Sequence, residues 1–148
     1  MKMSDEALKI IEESQNREKL KQVIDLIEER LVEHAIVPTE LQWTILINHL
    51  NEMLKRSQRK ETIPVVDRDL FKEVSKEAIT ISDEIVRSIG NLTDDEIYVL
   101  SIHFETAKNN FNEYNPFKED IKQKYPELFD AILKRTKLDP IKIKFFSG

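Results

Sequence analysis

Between Glu18 and Leu31 the apolar residues Leu20, Val23, Ile24, Ile27 and Leu31 recur at intervals of three and four, which places them on one stripe of an α-helix. The same period returns along most of the chain, and stripes of this kind must be buried against one another, helix on helix. Only two glycines occur among 148 residues, too few for the tight turns that sandwiches and barrels need. The expected fold is all-α: a compact antiparallel bundle of about five helices with a short C-terminal extension.

Ala7 to Ile11 allow a further turn or two ahead of the first long helix. Pro38 ends that helix, and Thr39 with Gln42 three residues on reads as a capping box opening the next. Trp43, Leu46, Ile47, Leu50, Met53 and Leu54 form its stripe, to about Gln58. Lys60 to Val66 is a connector, and a third long helix is expected from about Asp69 to Ile89 along Leu70, Val74, Ala78, Ile81 and Ile85. Gly90-Asn91 suits its C-terminal cap, and Thr93-Asp94-Asp95-Glu96 reads as a second capping box. The helix that follows, to about Phe111, is apolar most of the way round, so it is either central or at a dimer interface. Beyond Asn115-Pro116 a shorter helix or helix pair is expected from Lys118 to Lys134, then a strand-like alternation over Ile141 to Phe145.

The net charge of −5 argues against a nucleic-acid surface, because phosphate binding needs clustered cations and here they are interleaved with acids. Lys55, Arg56, Arg59 and Lys60 form one basic run, read as a solvated helix end whose cations complement the dipole. Without cysteine there is neither a disulfide framework nor a thiolate site. The N-terminus lacks the apolar core of a signal peptide, and no apolar run approaches the roughly 20 residues of a membrane span. A cytoplasmic protein with no membrane contact is the expectation. No glycine-rich phosphate loop, nucleophile elbow or isolated carboxylate pair suggests an enzyme, and no cofactor is implied.

Stepping about 100° per residue places His49 at the edge of its apolar stripe, with Arg56 on the same line two turns later. His103 sits at the edge of the later helix's stripe, with Glu96 on its line two turns earlier. An edge position can hold a ring by packing on one side and leave it open to a partner on the other. Equally, each can be a core-edge histidine satisfied by a hydrogen bond. His34, before Pro38, reads as a surface residue. A metal site of His49, His103 and Glu96 is disfavoured, since helical sites draw two ligands from one helix at a spacing of three or four.

Leu46-Ile47-Asn48-His49-Leu50 followed by Arg56, and Glu96 to Phe104 with His103 and Ala107, together resemble the phosphotransferase-system regulation domain family of bacterial antiterminators and activators that sense sugar uptake. The offsets within each motif and the spacing between the two histidines match, and the likeness covers about Glu18 to Asn112. Asn48 stands where many members carry aspartate; an amide can orient an imidazole but cannot stabilise its cation. The boundaries expected are an N-terminal helical extension over 1–17, the domain over 18–112, and a C-terminal helical extension and tail over 113–148 packed on the same domain. With room for one copy and no RNA- or DNA-binding module, the chain resembles a stand-alone member.

The resemblance implies a regulatory module of carbohydrate uptake and utilisation, phosphorylated on His49 or His103 by the phosphocarrier protein or a sugar-permease component. Asn48, Arg56 and Glu96 would support the histidines, and the added charge would repel Glu52 or Glu105 or recruit Arg56. Output would pass through a partner protein or a homodimer. An adaptor that keeps the fold with structural histidines is the alternative.

Overall fold

Three helices begin where a short hydroxyl side chain accepts an otherwise unpaired backbone N–H. In the computed structural model, which describes residues 3–110, Ser4 accepts from Ala7 at the start of α1 (Asp5–Glu13). Thr39 and Gln42 close a full capping box on α3 (Glu40–Arg59), and Ser75 accepts from Ala78 at the start of α4 (Lys76–Ile89). The other two helices are α2 (Arg17–Glu33) and α5 (Asp95–Lys108). No strand occurs among the described residues. The extension beyond residue 110, with its expected helices and strand-like tail, lies outside them.

The expected stripes meet in one core. Leu20, Val23, Ile24, Ile27 and Leu31 of α2 pack with Trp43, Leu46, Ile47, Leu50, Met53 and Leu54 of α3 and with Ala78, Ile81 and Ile85 of α4. Ala7 and Ile11 join the same core from α1. Hydrogen bonds from Ser4 to Thr44 (2.6 Å) and from Ser14 to Asn51 (2.7 Å) fix both ends of α1 to α3. Arg30 of α2 grips Glu84 of α4 through two bonds of 2.8 Å, which hold the Glu84 carboxyl below the usual carboxylate range. α3 and α4 end differently. Lys60 takes the left-handed conformation at φ 56° after α3, whereas Gly90, at φ 79°, closes α4 and offers its carbonyl to Ser57 Oγ at 2.7 Å.

Two expected elements are corrected. The helix expected from Asp69 to Ile89 is broken: residues Arg68–Phe71 form a single 3-10 turn, and α4 starts only after Ser75. The cause is a long-range acceptor. Glu105 of α5 takes both the Ser75 N–H (3.1 Å) and its hydroxyl (2.6 Å), so Ser75 cannot continue a helical ladder. The second capping box is also absent. Asp94 caps α5 without a side-chain bond, and Glu96 turns inward instead of back to the helix start. The apolar girth of α5 proves to be central: only Asp95, Tyr98 and Lys108 of this helix escape burial, so its girth gives no argument for a dimer interface.

Ser75→Ala removes a cap and leaves the buried Glu105 carboxylate short of a donor. A loss of about 2 kcal/mol is expected, read as a lower urea midpoint at unchanged slope.

Candidate functional site

α3 and α5 are buried nearly all round, so polar side chains on their facing lines must satisfy one another. The facing pairs lie in antiparallel register, two of them hydrogen-bonded and one in ring contact. Gln42 meets Asn110, just beyond the end of α5, through bonds of 2.8 and 2.7 Å. His49 meets His103, with ring centroids 4.9 Å apart and planes tilted by 35°. Arg56 meets Glu96 in a fork of two 2.7 Å bonds. Each step of seven residues along α3 answers a step of seven back along α5, roughly 10 Å of helix per step. The three pairs are rungs on one seam.

The Arg56–Glu96 rung is almost dry, with Arg56 12 % exposed and Glu96 fully buried. Two charges can be placed so deep because each carboxylate oxygen of Glu96 accepts a short bond from the Arg56 guanidinium. In the middle rung His49 is 0 % and His103 4 % exposed. Both nitrogens of the His103 ring are buried without a hydrogen-bond partner among the described residues. Burial lowers its pKa to about 4, so the ring is neutral near pH 7 and one nitrogen carries an available lone pair.

The expected supporting residues are thus redistributed. His49 with Arg56, and His103 with Glu96, were separate lines in the sequence; folding turns the lines face to face, so that histidine meets histidine and arginine meets glutamate. The edge positions with one open side are corrected. Both rings are enclosed, because α3 and α5 are flanked on more than one side and cover each other's edges. Arg56 is not part of a solvated helix end but is committed to Glu96. Asn48 is buried beside His49 in sequence. Glu105 faces the start of α4, and Glu52 lies 3.4 Å from Lys55. His34 is exposed, its Nδ1 2.8 Å from Glu77. Among the described residues no group of three or more histidines or acids could hold a metal ion. Asn110 was missed, although the spacing 42, 49, 56 against 96, 103, 110 is present in the sequence.

The sequence pattern of the PRD domain matches residues 21–107. The fold is similar to that of a PRD-containing transcription regulator from Lactobacillus casei ATCC 334, known from its crystal structure. The TM-score is 0.70 and the sequence identity 37 %, over 74 % of this chain and 97 % of that one. No curated protein matches the chain.

Glu96→Ala strands the Arg56 cation and should cost about 3–5 kcal/mol in chemical denaturation, whereas the double replacement Arg56→Met with Glu96→Leu should recover most of that loss. His103 also makes stability depend on pH. Its folded pKa lies below the ordinary 6.5, so the contribution is complete above pH 6.5 and is lost as pH falls toward 4, by roughly 3 kcal/mol at most. The stability profile of His103→Phe should be flatter than that of wild type over this window, and an equally steep one would contradict the assignment.

Proposed function

The chain belongs to the PRD family, and from that premise we propose that it is a regulatory module of bacterial carbohydrate uptake and utilisation, reversibly phosphorylated on histidine by phosphotransferase-system proteins. The observation that carries this reading is the meeting of His49 and His103, one from each family-like motif, at the centre of the seam. The donor would be the phosphohistidine of the phosphocarrier protein or of a sugar-permease component. A neutral imidazole nitrogen attacks phosphorus, the N–P bond to the carrier breaks, and the proton shed from the attacking ring's other nitrogen is made good on the carrier's ring, which leaves as a neutral imidazole.

Two rings 4.9 Å apart leave no space for a phosphoryl group between them. Phosphorylation therefore goes with separation of α3 from α5, because about −1.5 to −2 charges cannot stay in a dry seam. The separation is the signal. It would pass in the cytoplasm to a transcriptional partner protein, or to a second copy in a homodimer, without direct contact of this chain with nucleic acid. Among the described residues no helix is long and apolar enough to cross a membrane. PRD domains are regulatory, and no catalytic role is proposed.

Burial of both rings supports a second reading, a helical adaptor whose histidines only pack. Labelled phosphoenolpyruvate with the purified phosphocarrier system separates the two. Label on wild type is expected, mostly lost in His103→Ala, whose local motif is the more complete, and absent from the His49→Ala, His103→Ala double variant. No label on wild type, or undiminished label on the double variant, overturns phosphorylation and leaves the adaptor.

A further inference from the structure

The two rungs that flank the histidines are unequal. Arg56–Glu96 is charged, doubly bonded and almost fully buried. Gln42–Asn110 is neutral, its Asn110 is only half-buried, and it sits past the last turn of α5, where helices fray. Asn110 also donates to the Val37 carbonyl at 2.8 Å, so one side chain fastens the end of α5 to both the α2–α3 loop and the start of α3.

We infer that the seam opens from one end: Asn110 is the latch and Arg56–Glu96 the pivot, and release of the latch exposes His103 and His49 by swinging the C-terminal half of α5 away from the N-terminal half of α3. α5 does not swing alone, since Glu105 holds the start of α4 through Ser75. The opening separates α3 from the α4–α5 pair. Asn110 is thus a positioning residue for any reaction at the histidines. Its importance for phosphorylation rests on the function proposed above, but the motion itself does not.

Carbethoxylation with diethyl pyrocarbonate tests the motion without any phosphotransferase protein. The full chain is treated and the three histidines are followed separately by peptide mass spectrometry, with exposed His34 as the internal reference. Asn110→Ala leaves the Thr39–Gln42 capping box in place. It should raise the rates at His49 and His103 relative to His34 by at least roughly five- to tenfold, the factor expected when an opening equilibrium loses one hydrogen bond of ordinary strength, since Asn110 makes three. Amide exchange supplies the direction. Residues 103–108 should exchange faster than 97–102 in wild type, and Asn110→Ala should speed only the former group. Unchanged carbethoxylation in Asn110→Ala, or exchange that is uniform or fastest near Glu96, overturns the latch. Faster carbethoxylation without phosphoryl label on wild type would keep the latch and remove only the proposed function.

Discussion

Arg56 and Glu96 form the interaction on which the other contacts of the seam depend. An ion pair in a dry interior does not add much net stability over well-packed apolar residues, yet either partner left alone is strongly unfavourable. Such a pair therefore acts on arrangement more than on stability. It admits one overlap of α3 with α5, the one in which both forks engage. That overlap in turn places imidazole against imidazole one heptad away and amide against amide one heptad further. The pairing of the two histidines thus shares its register with a charge pair two turns distant.

Under the proposed function, enclosure and reactivity are compatible. Burial keeps the His103 ring in the neutral form that can act as a nucleophile, while the closed seam keeps it from any phosphoryl donor. Under the function proposed above, chemistry and access are thereby separated: the closed seam holds the ring neutral, and helix separation would decide whether it reacts. A solvent-exposed histidine such as His34 would have access at all times and nothing for a structural change to govern.

Local signals were legible where local physics decides. The α2 stripe, the Thr39–Gln42 box and the glycine after α4 follow from spacing and from hydrogen bonds that reach three or four residues. Ser75 and Glu96 were not, because each is claimed by a partner far along the chain: 30 residues for Ser75, 40 for Glu96. A capping motif states what a side chain can do locally, and a distant partner can outbid it. The histidines were misplaced for a related reason. Measuring an angle from one apolar stripe assumes one buried face, whereas α3 and α5 are covered on several. Asn110 carried a signal that a single-helix view cannot detect, since its meaning lies in equal intervals on two antiparallel helices.

The three rungs also differ in kind: amide with amide, aromatic ring with aromatic ring, cation with anion. A slide of α3 along α5 by one heptad would keep two rungs geometrically aligned while mixing the kinds. Glu96 would then face His49, and Arg56 would have no acid opposite. Identical rungs would tolerate such a displaced overlap, as uniform zippers do. Three unlike ones work as a key with unequal teeth, so that after each parting the helices can close again only in the alignment they left.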